Sequence, residues 1–220
     1  MEKRTADVLN RPDGLANDRL DGMVAVEGMK RTETSLQSVM LDAAEAVVAR
    51  QGIANLTLEA VAAEAGISKG GLLHHFRTKD RLIEALVTRA AENWRACWMG
   101  SSENVPAGPG RTTRGLLKHC LSDAKSWTEQ LRRSSSAVFA ALAQNPSLIE
   151  PMRAAYSELH RRVADDGLPP GVGEAVITAI DGLWLYWVLG LVPVDQERMN
   201  RLHAALEEML VRSQAKRSRV

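Results

Sequence analysis

The run Ser68, Lys69, Gly70, Gly71 sets a hydroxyl, an ammonium and two residues without side chains in succession, just after Gly66 and Ile67. A hydroxyl at such a place caps a helix by accepting from a backbone N–H, and it can also touch a phosphate or a base. An ammonium near a helix start reaches guanine O6 and N7, or a phosphate oxygen. Each glycine inside a helix costs about 1 kcal/mol relative to alanine, so the pair needs a reason. Either the backbone must close on a groove floor or a thymine methyl, or it packs tightly against a neighbouring helix.

A second group lies far downstream. The sequence has five Trp, two Tyr and two Phe, and of these only Phe76 precedes residue 90. Trp94, Trp98, Trp127, Phe139, Tyr156, Trp184, Tyr186 and Trp187 all fall later. Large rings bury about 150–250 Å² each and line apolar pockets well; packing in a core or a dimer interface is the plainer use. Asp181 sits within the apolar stretch from Ala175 to Val192. If buried it needs a partner, which can be a group inside the protein or a cationic ligand held between carboxylate and ring faces.

Other chemistries find no support. No Ser-His-Asp set, paired carboxylates or Gly-rich phosphate loop is legible, so no enzymatic activity is expected. His119 and Cys120 are adjacent in one helix and point apart, and Cys97 and Cys120 make no CxxC pair. Neither a metal site nor a cofactor is expected, and two distant cysteines suit a reducing cytoplasm. With 28 Lys plus Arg against 27 Asp plus Glu the net charge is +1, so any binding to nucleic acid must be local. The stretch around Asp181 approaches the length of a membrane span, but the carboxylate and Gly182 and Gly190 argue for a buried helix. No secretory leader is legible, and no membrane partner is expected.

These residues require helices to position them. Residues 1–34 show no sustained period and read as an arm; Met23 and Met29 are alternative starts. From Ser35, the residues Leu36, Val39, Met40, Ala43, Ala44 and Val47 share one helical face, with Glu45 and Arg50 outside it. Thr57 caps a short helix that Gly66 stops; Ser68 caps a third; Thr78 caps a fourth that reaches Trp98. Residues 101–110 read as a loop. Further helices are expected over Thr112 to Leu131, Ser134 to Gln144, Pro146 to Ala164, Gly173 to Leu189 and Asp195 to Arg212. Residues 214–220 form a basic tail. Strand-like alternation is absent, so the fold class is all-α.

The segment Thr57 to Leu82 has the physics of a helix-turn-helix: a small residue where two short helices cross (Ala62), a turn tolerant of positive φ (Gly66) and apolar anchors (Leu58, Val61, Ile67, Leu72). The second helix then presents Ser68 to Gly71 toward a major groove. The run AGISKGGLLHHFRTKDRL closely resembles the DNA-binding signature of the TetR family. The resemblance covers Leu36 to about Val87, and the helical remainder has the size of that family's ligand-binding and dimerisation domain. Asp181-Gly182-Leu183-Trp184-Leu185 is similar to a segment of some members, choline-responsive ones included.

The resemblance implies a three-helix DNA-binding domain over 35–80 and an effector-binding and dimerisation domain over 81–213. It implies DNA contacts by Thr57, Ser68, Lys69, Gly70, Gly71, His74, His75 and Lys79, with Thr57, the histidines and Lys79 on phosphate; His75 can equally be core. Leu73 is also an expected DNA contact but departs from the pattern: most members have a tyrosine there whose hydroxyl touches the DNA backbone, and leucine offers only apolar contact. The expected function is a repressor that binds a palindromic double-stranded operator as a homodimer and is released by a small apolar or aromatic-cationic effector. A sequence-tolerant structural DNA binder is the alternative. Candidate effector contacts are Trp94, Trp98, His119, Trp127, Phe139, Asp181 and Trp184. Candidate dimer contacts are Ile177, Trp184, Val188, Met199, Leu202, Leu206 and Met209, read from two apolar stripes on the last two helices.

Overall fold

A computed structural model describes residues 36–52 and 55–217. The N-terminal arm and the end of the basic tail lie outside them. Every regular element among the described residues is helical. Residues 36–51 form α1, followed by α2 (Leu58–Glu64), α3 (Lys69–His75), α4 (Lys79–Ser101), α5 (Arg111–Leu121), α6 (Glu129–Gln144), α7 (Glu150–Ala164), α8 (Val172–Val188) and α9 (Gln196–Arg217). Residues 36–39, the first turn of α1, are exposed.

From Met40 onward two apolar clusters form. The first joins α1, α2, α3 and the N-terminal half of α4 through Met40, Val47, Leu56, Val61, Leu72, Phe76, Leu82 and Leu86. Ala141 at the end of α6 and Leu148 in the short 3-10 turn Pro146–Ile149 belong to the same cluster. The second is built from α5, α7, α8 and α9 around Trp98. Helix α4 enters both. At 23 residues it is about 34 Å long, and it carries Leu82, Ile83, Leu86 and Val87 into one cluster and Trp98 into the other.

Two features differ from the sequence reading. Glu45, placed outside the apolar face of α1, is 2% exposed. Its carboxylate lies 2.5 Å from the Arg89 guanidinium of α4, which also holds Asp42 at 2.7 Å. A long-range partner keeps this charge inside, and helical periodicity carries no sign of it. The expected single helix from Thr112 to Leu131 is broken. Helix α5 stops at Leu121, Asp123 caps the 3-10 turn Ala124–Ser126, and the Thr128 hydroxyl accepts from Leu131 N at 3.2 Å to start α6. Two side chains that compete for backbone N–H groups made the break. It leaves Trp127 outside any helix.

Close packing fixes the α5 register. A Cβ on Gly115 would stand 2.8 Å from the Ser101 carbonyl oxygen, so only glycine lets α5 pass the end of α4. The start of α5 is held by Asp166, whose carboxylate accepts from Thr112 N at 3.0 Å, Thr113 N at 2.8 Å and the Thr113 hydroxyl at 2.8 Å.

Candidate nucleic-acid interface and aromatic cluster

The helix-turn-helix is built by caps at both starts. The Thr57 hydroxyl accepts from Ala60 N at 3.0 Å, and the Ser68 hydroxyl accepts from Gly71 N at 3.1 Å. Between them Gly66 adopts φ +67°, a conformation that favours glycine, and turns the chain so that Ile67 N donates to Ala62 O at 3.0 Å. Leu72 and Phe76 anchor α3 in the first cluster, and the Thr78 hydroxyl accepts from Arg81 N at 3.2 Å to launch α4.

This framework leaves Ser68, Lys69, Gly70 and His74 exposed, with Gly71, Leu73, His75 and Lys79 half-buried. The His74 and His75 rings meet edge to face at 5.4 Å. Packing against α1 does not account for the glycines. A Cβ on Gly70 would meet only the Ser68 hydroxyl at 4.0 Å, and one on Gly71 the same atom at 3.3 Å. The outer surface at the start of α3 is therefore bare backbone, open to close approach. Lys69 Nζ lies 2.5 Å from Glu59 Oε1 of α2. Chiefly through that hydrogen bond, the ammonium holds the Glu59 carboxyl below its ordinary range. The sequence reading passed over Glu59, because a partner ten residues away on another helix leaves no periodic trace.

Leu73 has no group that donates to a phosphate. Leu73→Tyr is expected to tighten duplex binding by about 0.5–1.5 kcal/mol, the net worth of one hydrogen bond. Titration of both proteins against one duplex checks it, and a loss would mean that α3 docks at a different angle.

From the C-terminal half of α4 onward, three pairs of aromatic rings meet. Trp94 lies beside Tyr156 of α7 with ring centroids 6.2 Å apart, and the Tyr156 hydroxyl donates to Asp181 Oδ1 of α8 at 2.9 Å. Phe139 stacks on Trp184 at 5.8 Å, and Trp184 Nε1 donates to Ser135 Oγ at 3.1 Å. Trp127 meets Trp187 edge to face at 5.3 Å, and its Nε1 donates to the Cys120 carbonyl at 2.8 Å. Of the expected effector residues, Trp98 lies in the second cluster with Trp94 and Trp127 packed against it, while Phe139 and Trp184 stack on each other. His119 is exposed on α5, and Trp98, at 1% exposure, is core, with the Arg162 guanidinium 5.0 Å over its ring. Tyr156, not singled out as a site residue, links Trp94 to Asp181. The sequence signal for it was its place with His160 beside the buried stripe Ala155, Leu159, Val163 of α7.

Burial raises the Asp181 carboxyl above its ordinary range, opposed by the Tyr156 hydrogen bond and by His160. It also pushes the Cys97 thiol up to about 11 and the Cys120 thiol higher still, so neither cysteine is a thiolate near neutrality. For Asp181 the folded chain penalises the charged form. Its contribution to stability falls as pH rises past about 4, the ordinary carboxyl value, and the penalty is complete above the raised folded value. Asp181→Asn keeps an acceptor for the Tyr156 hydroxyl and removes the charge. It is expected to melt higher near neutral pH, with the difference vanishing as pH falls to about 4, the ordinary carboxyl value; an unchanged or lower melting temperature near neutrality would refute the burial penalty.

Of the residues of the expected dimer stripe, Ile177, Met199 and Leu206 are buried in the chain's own second cluster, because the regular apolar spacing of α8 and α9 fills that core. Trp184, Val188, Leu202 and Met209 are half-buried. On α8, on α9 and in the turn between them, the exposed large apolar side chains are Tyr186, Leu189, Leu191 and Val211; Met99, Leu131 and Leu142 are exposed elsewhere. No helix among the described residues is long and apolar enough to cross a membrane, and no group of three His, Cys, Asp or Glu among them is placed to hold a metal ion.

Residues 40–86 match the bacterial regulatory proteins of the tetR family, and residues 110–211 match the tetracyclin repressor-like C-terminal domain. The HTH-type transcriptional regulator BetI of Escherichia coli (strain K12) is 24% identical over 172 residues, spanning 74% of this chain and 87% of that one. Among solved structures, a putative transcriptional regulator from Pseudomonas aeruginosa PAO1 superimposes with a TM-score of 0.64 at 21% identity, covering 82% of this chain and 92% of that one. The multidrug binding protein EbrR complexed with malachite green gives 0.59 at 25% identity over 79% of this chain and 97% of that one. With a capped helix-turn-helix over the matched N-terminal residues and a helical domain over the C-terminal ones, the chain belongs to the TetR family of DNA-binding transcriptional regulators.

Proposed function

We propose that the chain is a repressor that binds a palindromic operator as a dimer and leaves it when a small apolar or aromatic-cationic effector binds among Trp94, Tyr156, Asp181 and the Phe139–Trp184 stack. The observation that carries this reading is the course of α4. It starts at Lys79 beside the recognition helix and ends in the second cluster at Trp98, so one rigid element joins the DNA-contacting end to the aromatic groups. Helix α6 supplies a parallel link, since Ser135 and Phe139 meet Trp184 while Ala141 packs in the first cluster. An effector that binds better when α4 and α6 are displaced shifts the chain away from the operator-bound state. By reciprocity, operator weakens effector by the same factor.

The second copy docks on the exposed apolar groups at the end of α8 and on α9, Tyr186, Leu189, Leu191 and Val211, continued by the half-buried Val188, Leu202 and Met209. Two recognition helices then meet half-sites about 34 Å apart or a multiple of it. EbrR supplies the first probe, malachite green, an aromatic cation. The test is titration of the full chain with a duplex selected from a random pool, by size and by fluorescence, with and without the dye. A two-protomer complex that dissociates as the dye quenches tryptophan supports the reading. Quenching with operator affinity unchanged, or sequence-indifferent binding by a monomer, overturns it.

A further inference from the structure

Glu59 and Lys69 form an exposed pair to which folding owes little beyond the small benefit of a carboxylate in the first turn of α2. Their side chains are 61% and 56% exposed, and an ion pair in that setting adds little to folding because water screens it and two long side chains must be ordered. The pair also sits where a carboxylate is costly. Glu59 is the second residue of α2 and Lys69 the first of α3, so both stand at the helix starts that face a duplex in a helix-turn-helix, and a negative charge there repels phosphate. The adjoining Gly70 and Gly71 present no side chain that would hold the pair off the groove floor.

The chemistry of the two heads fits one base pair. In the major groove a G·C pair offers two acceptors, guanine N7 and O6, and then one donor, cytosine N4. An ammonium and a carboxylate 2.5 Å apart offer the complement in the same order, a donor beside an acceptor. A lone lysine is satisfied by any acceptor, phosphates included. Lysine tied to a carboxylate loses part of its attraction for phosphate, and the carboxylate finds a partner only where a base amino group faces it.

We propose that Glu59 is a specificity-determining residue: with Lys69 it reads one G·C pair in each half-site, Lys69 donating to guanine O6 and N7 while Glu59 accepts from cytosine N4. Away from that site the carboxylate weakens binding to non-cognate duplex. This rests on the reading that α3 enters a major groove.

The test uses the full chain and a random duplex pool, followed by titration of the selected duplex, a version with the G·C pair changed to A·T, and a scrambled duplex. The wild type is expected to select a half-site with a fixed G·C pair and to lose about tenfold or more in affinity on the A·T change. Glu59→Gln and Glu59→Ala are expected to bind the scrambled duplex more tightly than wild type and to shrink the A·T penalty to under about threefold, with melting temperatures unchanged. Lys69→Met is expected to lose the same discrimination, and Glu59→Ala in that background to add no further loss. If the Glu59 variants keep the wild-type discrimination while Lys69→Met loses it, Glu59 is a surface ion pair and the proposal fails while α3 remains the reader. If the wild type selects no sequence, the major-groove reading fails and takes the proposal with it.

Discussion

Arg89→Met is expected to destabilise the chain by about 3–5 kcal/mol. The Arg89 guanidinium lies 2.5 Å from the Glu45 carboxylate, which is 2% exposed in the first apolar cluster. Methionine preserves most of the apolar stem and the packing of α4, so the loss comes from one source: a buried carboxylate left without its cation. Asp42, the other partner of Arg89, is exposed and regains water, so it contributes little to the loss. The paired change Glu45→Leu with Arg89→Met is expected to recover most of the stability, because an apolar pair of similar volume avoids the desolvation of both charges. Urea unfolding of the three proteins measures the cycle. A single-variant loss under about 1 kcal/mol would show that the Glu45 carboxylate reaches water once Arg89 is gone, and would remove the reason to regard this pair as a fixed α1–α4 link.

The second large effect is expected for Trp98→Ala, a loss of about 3–5 kcal/mol from the cavity left behind and the lost transfer energy of the ring. At 1% exposure the indole fills the second cluster among α5, α7, α8 and α9, with Arg162 over its face. That placement changes what the residue can report. A lost effector response in Trp98→Ala would follow from general loosening of the domain, whereas Trp94, half-buried beside Tyr156, can be altered at smaller cost. Unfolding of Trp98→Ala and Trp94→Phe in parallel separates the two roles. A small loss for Trp98→Ala would mean that its ring borders space already accessible to solvent or ligand, which returns it to the effector site.

How far the sequence reaches is visible in particular residues. Thr57, Ser68 and Thr78 were legible as caps, Gly66 as the turn, and Leu72 and Phe76 follow as anchors, because each effect acts within four residues along the chain. The same locality gave the all-α class and the α4 rod. It failed at Ser122 to Thr128, where Asp123 and Thr128 outcompeted a helical period that continued on either side.

Pairing across helices was decided by tertiary structure alone. Glu45 with Arg89, Tyr156 with Asp181 and Glu59 with Lys69 are separated by 10 to 44 residues, and nothing in the chain marks which charge or hydroxyl the fold will bring within 3 Å of another. The apolar stripes of α8 and α9 show the same limit from the other side. Their period established that Ile177, Met199 and Leu206 share a buried face, but the core of one protomer and the interface of two impose the same spacing. Only the packed structure placed those residues in the chain's own core and left Tyr186, Leu189, Leu191 and Val211 on the surface.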